Sequence, residues 1–400
     1  MASTPSPPPA TTRRVSPLLC RHFLREFSVP MAGSLTAFLA ISMLLAVFDD
    51  LPDFSGVDIS ASLTALYFLA RTPDYLMTVI PVSALLASSL MTIVLGKNQE
   101  LTAIRSAGLS LLTVATPVWL LSLALCGVML FLNEAVIPRS TRFVEMIRTD
   151  YLDNPARKKT AGKAEAAPKA ARREGNSLAY YNPRTRQEWF FADFRSEGPC
   201  QGVHVTLQDE KGRPSLVLNA ATGEYLPQER RWRFLRTTLT QYDYAQSDLP
   251  LAALPVSYPE YPLPDSPQAR LFRESPRDIQ IQATPLEQTP IRDLLRKTRR
   301  RIFLSTNELQ LSKTLLAHRL ATPLATLIAV LLGFALTLPQ GRTSPVRGFV
   351  TAVGLFVSYT LCAHLFLVLG KSGHLWWPIA GAFPTVAALS GALYLAWKRQ

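Results

Sequence analysis

The sequence predicts a polytopic α-helical membrane protein, with six transmembrane helices arranged three plus three and a β-jelly-roll or sandwich domain inserted between the halves. Three observations carry this. Apolar stretches occur at 29–48, 73–95, 109–132, 314–338, 349–369 and 376–397. A helix needs about 20 apolar residues to cross ~30 Å of hydrocarbon, and each stretch reaches that length without more than an isolated ionisable residue near its middle. The polar block between the third and fourth stretches, residues 137–312, alternates in short runs separated by turn signals, which is the pattern of strands.

Composition hides this organisation. The hydrophobic fraction of 48% is ordinary for a soluble chain, and the net charge of +13 invites a nucleic-acid reading. The cations do not support one. Many lie among Ala and Gly at 157–173, and others flank the apolar stretches, so no basic motif forms. Cys126 and Cys362 fall inside apolar stretches, Cys20 lies just before the first, and Cys200 is alone in the polar block. That spacing fits neither a disulfide framework nor a zinc site.

In order along the chain, residues 1–28 read as an N-terminal tail, rich in Pro, Ser and Thr up to Pro17 and disordered there. No small-residue cleavage site follows the first apolar stretch, so 29–48 is a retained span. With the N-terminus inside, Arg13, Arg14, Arg21, Arg25, Lys97, Arg105, Arg342, Arg347, Lys398 and Arg399 fall on the cytoplasmic side. Only Arg71 and Lys371 fall in short outer segments, and Asp49, Asp50, Asp53 and Asp58 occupy the first outer loop. Basic residues of short loops stay inside. Both termini are then cytoplasmic, and about 137–312 lies outside the cytoplasmic membrane.

Within that block, strands are expected at Ser177–Tyr181, Gln187–Phe194, Gly202–Gln208, Pro214–Ala220 and Trp232–Tyr242, with Trp232, Phe234 and Leu239 facing inward. Asn182-Pro183-Arg184 and Asp209–Arg213 supply turns. Asn154–Gly175 reads as a flexible insertion, Pro250–Pro267 as extended chain without regular structure, and Ile291–Leu311 as a helix leading into the fourth to sixth spans, which together occupy 313–400. Pro81, Pro117, Pro323 and Pro384 lie within spans as candidate kinks.

The cytoplasmic loop 96–108 between the second and third spans (29–136 in all) is amphipathic and ends at Gly108, a suitable helix C-cap. Leu101 and Ile104 share a face, and Glu100 and Arg105 project elsewhere. Read from the residues alone, it is either a short helix that docks a soluble partner or a polar connector whose charges stay wet.

The segment Asn98–Ser110 resembles the "ELTALRAAGIS" signature of the lipopolysaccharide-transport permeases LptF/LptG. "IPVSALLASSL" at 80–90 resembles that family's second span, and "LVLNAATGEYLPQERRWRFL" (Leu216–Leu235) its outer domain. "HRLATPLATLIAVLLGFAL" (His318–Leu336) resembles its fourth span, and "GKSGHLWWPIAGAFPTVAALSGALYL" (Gly370–Leu395) its C-terminal hairpin. The second span and the loop look slightly more like the G subunit. The resemblance implies a permease subunit that pairs with a second six-span subunit and binds a dimeric cytoplasmic ABC ATPase of the LptB kind. It also implies extraction of lipopolysaccharide or a related glycolipid from the outer leaflet and its passage to a periplasmic jelly-roll bridge of the LptC/LptA kind. Glu100 matches the family's coupling carboxylate, which makes Glu100, Leu101, Ile104 and Arg105 the candidate ATPase-coupling residues.

No Gly-x-x-x-x-Gly-Lys-[Ser/Thr] loop occurs, so ATP hydrolysis falls to a partner chain. No cofactor, metal or catalytic residue is expected. Arg139, Arg142 and Arg148 lie at the outer end of the third span; if the helix continues, Arg139 and Arg142 share a face and suit bidentate phosphate binding. The alternative is that they only anchor the helix among headgroups. The acidic outer end of the first span departs from family members that carry lysines there, and would repel phosphate. A membrane hydrolase lacks its motifs, since neither His-Glu-x-x-His nor Gly-x-Ser-x-Gly occurs. An envelope scaffold without transport leaves the loop around Glu100 unexplained.

Overall fold

The computed structural model describes residues 17–54, 59–148, 177–182, 185–195, 198–244, 251–252, 254–261, 272, 274–284, 286–300, 306–338 and 344–398. Helices α1 (Pro17–Phe54) and α2 (Ala61–Lys97) are followed by three shorter ones: α3 (Glu100–Ser106), α4 (Leu111–Val114) and α5 (Thr116–Phe131). A π-helical turn at Leu132–Val136 carries α5 into α6 (Ile137–Ile147). Seven strands come next: β1 (Leu178–Asn182), β2 (Gln187–Asp193), β3 (Cys200–Gln208), β4 (Pro214–Leu226), β5 (Arg231–Asp243), β6 (Leu251–Ala252) and β7 (Val256–Tyr261). The chain continues through α7 (Pro276–Ala283), α8 (Ile291–Arg300), α9 (Thr306–Ala321), α10 (Leu324–Thr337), α11 (Pro345–Lys371), α12 (Trp377–Gly381) and α13 (Phe383–Lys398). Two compact units result, one of residues 1–155 with 317–400 and one of 156–316.

In the helical unit, four helical stretches are long and apolar enough to cross a membrane alone: 17–52, 61–97, 116–147 and 345–371. The pair 308–321 and 324–337 makes a fifth, bent by 43°. α2 and α10 form the centre, where Ala84, Ala87, Ser88 and Thr92 face Ala329, Val330 and Gly333 from a buried interior. The contact depends on small residues, as helix packing in lipid does. A Cβ on Gly333 would lie 2.0 Å from the Ser88 hydroxyl and 2.8 Å from the Leu85 carbonyl. α1 and α11 instead turn Ile41, Leu44, Phe48, Val350, Leu361 and Leu365 outward. In water such surfaces drive association; in hydrocarbon they are solvated.

Several expectations need correction. α1 begins at Pro17, so residues 17–28 of the expected tail are helical. The reason is Phe23 and Phe27, four apart on one face and fully buried. Of the four prolines, Pro81 lies inside the unbroken α2, whereas Pro117, Pro323 and Pro384 each sit at a break. The fourth expected span is thus two helices, and the sixth is divided into α12 and α13 at Ala382. Residues 1–16 and the insertion 154–175 lie outside the described residues.

The other unit holds one seven-stranded antiparallel sheet, paired in the order β1 to β6, with β7 also on β5. The five expected strands are present within a few residues of their expected bounds, and Trp232 and Phe234 are fully buried. Leu239 is partly buried against the same core. Asp209 closes the β3–β4 turn by accepting from the backbone N–H groups of Lys211 (2.8 Å) and Arg213 (2.9 Å).

A transverse crease runs through the row Ala192, Gly202, Ala221, Arg236 and Pro259, one residue from each of five neighbouring strands. Strand side chains alternate with a period of two, yet here each strand slips by one. Phe191 and Phe194, Cys200 and Val203, Ala220 and Gly223, and Phe234 and Thr237 are all buried three apart. Gly202 (φ +60°) and Arg236 (φ +51°) absorb the slip, and a Cβ on Gly202 would come within 2.7 Å of the Ala192 Cβ. Both halves of the long strands thereby keep their apolar side chains in one aromatic core. Strands β6 and β7 occupy the proline-rich segment expected to lack regular structure, and the crease accommodates the proline of β7. Pro259 sits where the ladder is already interrupted, on an outer strand, so its missing N–H costs no pairing.

Candidate functional site

The site grows from the end of α2. Asn98 caps that helix through its backbone N–H to Val94 O (3.0 Å), and Gln99 then takes a left-handed conformation, φ +59°. A non-glycine residue there costs roughly 1–2 kcal/mol, and it turns the chain within two residues into α3. At the other end, Gly108 N–H donates to Arg105 O (3.0 Å) and Leu109 N–H to Ile104 O (3.2 Å), with Gly108 at φ +72°. This is a Schellman motif, and only glycine adopts that φ without strain. The expected helix with its stop at Gly108 is therefore present.

Of the candidate coupling residues, Leu101 (2% exposed) and Ile104 (8%) point into the protein's own core, against Phe23, Phe27, Leu95, Leu111 and Val114. They anchor α3 and are not a surface for a partner. Arg105 is exposed, as are Thr102, Ala103, Ser106 and Ala107. Glu100 stands at the first position of α3 with its side chain 33% exposed. Its Oε2 accepts from His22 Nε2 on α1 at 2.8 Å, and its Oε1 from Asn98 Nδ2 at 3.3 Å. His22 is the residue that sequence reasoning missed. Lying 78 positions from Glu100, it carries no local signal of the pairing.

At the opposite end of α1 and α2, Asp50 forms an ion pair with Arg71 and accepts from the Tyr67 hydroxyl (3.3 Å). The Arg71 guanidinium lies 5.8 Å from the ring centres of both Tyr67 and Tyr75. The Asp50 charge is thus matched within the chain, which corrects the expectation that it simply repels anions; Asp49 stays exposed. Arg139, Arg142 and Arg148 are all exposed. The helix does continue through α6, which brings Arg139 and Arg142 onto one face. Arg148, six residues beyond Arg142, falls on another.

The break between α9 and α10 lies against the π-helical turn. Pro323 has no N–H to give the Arg319 carbonyl four residues back. The buried Asn133 of the π turn donates its Nδ2 to that carbonyl instead, at 3.3 Å. The Pro323 carbonyl accepts from the Cys126 thiol at 3.0 Å. Further along, α10, α11 and α13 line an open apolar groove of about 420 Å³, bounded by Leu332, Leu355, Tyr359, Phe366 and Ala388 among others. Its lining is suited to an acyl chain and offers no charge to a headgroup. Among the described residues, no group of three or more His, Cys, Asp or Glu is placed to hold a metal ion.

Comparison with known proteins adds one finding. The model of the family "Lipopolysaccharide export system permease LptF/LptG", which is common to both subunits, matches residues 21–398. No curated protein matches the chain. The match takes in the membrane-spanning helices, the α3 segment and the strand-rich insertion together, and on that extent the chain belongs to the LptF/LptG family of lipopolysaccharide export permeases.

Proposed function

We propose that this protein is one permease subunit of an ABC-type export complex that extracts lipopolysaccharide from the outer leaflet of the inner membrane. A separate cytoplasmic ATPase dimer of the LptB kind drives it, a second six-span subunit completes the permease, and a periplasmic bridge of LptC/LptA-like jelly rolls receives the lipid. In this reading both termini are cytoplasmic. The unit of residues 156–316 is periplasmic and serves as a jelly roll. α12 and α13 together form the sixth span: residues 377–398 reach about 33 Å at 1.5 Å per residue, enough for ~30 Å of hydrocarbon. Arg139 and Arg142 contact lipid phosphates by their shared face, and Arg148, on another face, reaches headgroups separately.

The observation that carries the reading is the construction of α3. Its apolar pair is sunk into the core, its caps fix its ends, and its polar side with Glu100 and Arg105 is left facing away. A connector that only kept charges wet would need neither the strained Gln99 nor two buried anchors. Docking of the ATPase on this rigid projection, through Glu100 and Arg105, fits what the family's lipid export requires.

The test is affinity purification in mild detergent from the native membrane, followed by mass spectrometry. An ABC ATPase and a second six-span homologue are expected to co-purify. Intact protein recovered reproducibly with neither would favour an envelope scaffold. Glu100→Ala is expected to insert and fold normally while its complex loses most of its lipid-dependent ATP hydrolysis. Unchanged association and transport would remove Glu100 from the mechanism.

A further inference from the structure

We propose that His22 is the positioning residue of the Glu100 docking site and links that site directly to the first membrane helix. The inference rests on the reading of α3 as the ATPase-docking element. His22 lies on α1, in the turn that also carries the buried Phe23 and, one turn on, Phe27. Those two rings pack against Leu101 and Ile104, so α1 and α3 meet through an apolar layer and, beside it, the 2.8 Å bond from His22 to Glu100.

The apolar layer accounts for the stability of the contact. The His22–Glu100 pair adds little to it, because both side chains are substantially exposed, 40% and 33%, and pairs of that kind are screened by water. Its contribution is direction. A carboxylate accepts about four hydrogen bonds, and among the described residues Glu100 receives two, from His22 and Asn98. It therefore has positions left for a cationic donor of a docked partner without releasing His22. A carboxylate held at both oxygens presents one geometry instead of many rotamers. A pull on it then reaches α1 through a side-chain bond, as well as α2 through the two-residue turn at Asn98–Gln99. Arg21, Arg25 and Lys97 are exposed around the same end, yet none of them bonds to Glu100.

The experiment uses the full chain with its ATPase and sister subunit in proteoliposomes containing lipopolysaccharide. It reads the lipid extracted per ATP hydrolysed, a ratio that a purely structural weakening does not move. Glu100→Ala, run first, tests the docking reading by itself. His22→Ala is expected to keep the ATPase bound and to lower the ratio at least fivefold. His22→Gln, whose amide still donates, is expected to restore most of it. The Glu100→Ala/His22→Ala double variant should be no worse than Glu100→Ala alone. If Glu100→Ala is harmless, the docking reading falls and takes this inference with it. If Glu100→Ala impairs the ratio but His22→Ala does not, or if the two losses multiply, the docking reading stands and the role of His22 is overturned. Should His22→Ala fail to accumulate, Glu100→Gln reads the same bond from the other side. It keeps the shape but weakens acceptance, and a normal ratio would equally overturn the proposal.

Discussion

Glu274 shows how one side chain makes the sheet unit sensitive to pH. It is 8% exposed, and its carboxyl is pushed up to about 7 from an ordinary 4.5, first by burial; the Asn182 amide that donates to it and the neighbouring Tyr180 hydroxyl oppose the shift, and the nearby Asp278 adds to it. The same segment is tied down by Trp232, whose indole N–H donates to Glu274 O at 2.7 Å. The proton is bound more tightly in the folded state, so the stabilisation is complete below about pH 4.5 and is lost as pH rises through 7. Across that window the loss amounts to about 3 kcal/mol. Glu274→Gln is therefore expected to be neutral near pH 4.5 and stabilising by that order at pH 8. Hydrogen exchange of the β1 and β5 amides in the full chain would show it, and equal pH dependence in both proteins would refute it. Nothing in the sequence marked this residue, because its partner Asn182 is 92 positions away. Residue-level function was legible only where a local pattern existed. Leu101 and Ile104 were legible as an apolar pair, yet the surface they bury against is assembled from α1, α2 and α4 and cannot be seen from spacing.

At the scale of elements, the strands and membrane helices were readable because period and length are local properties; the breaks were not. Four prolines lie within α1 and α2 without ending either helix, whereas Pro323 divides a span. What distinguishes Pro323 is a neighbour. Asn133, on the π turn of another helix, is placed to satisfy the carbonyl that the proline orphans, and a break in a membrane helix persists where such a partner exists. The two residues should therefore be energetically coupled. Asn133→Ala is expected to cost about 1 kcal/mol, in line with polar contacts between membrane helices. In a Pro323→Ala background the Arg319 carbonyl regains its own backbone donor, and the cost of losing Asn133 should fall toward zero. Reversible unfolding of the four proteins in mild detergent measures the coupling, and strictly additive losses would show that the contact does not sustain the break. The crease in the sheet was equally hidden. Gly202 opens an expected strand and Pro259 lies in the segment expected to lack regular structure, and only the strand register aligns them into one row.

For the whole molecule, the number of membrane crossings is decided by parity. Among the described residues, four helices are long and apolar enough to cross alone and the bent pair makes a fifth; an odd total would put the two ends of the chain on opposite faces of the membrane. Counting α12 and α13 as one broken span makes six and returns the C-terminus to the side of the N-terminus. Charge argues for the even count: Arg21, Arg25, Lys97 and Arg105 gather at one end of the helical unit, Arg347 falls on that side with either count, and Lys398 joins them only if there are six crossings. Reporter fusions at each terminus are thus expected to read cytoplasmic, fluorescent with a green fluorescent protein and silent with a phosphatase that needs the periplasm. Leu254→Cys, 87% exposed in the sheet unit, should react in spheroplasts with a membrane-impermeant maleimide, while Ala107→Cys on the far side should react only after permeabilisation. Opposite readings at the two termini would make α12 and α13 a re-entrant hairpin. That outcome would place Lys398 away from α3 and remove it from any surface an ATPase could reach. Agreement at the termini, with Leu254→Cys labelled from outside, would put Glu100, His22 and both chain ends on the ATPase side and the aromatic sheet on the side to which lipid is exported.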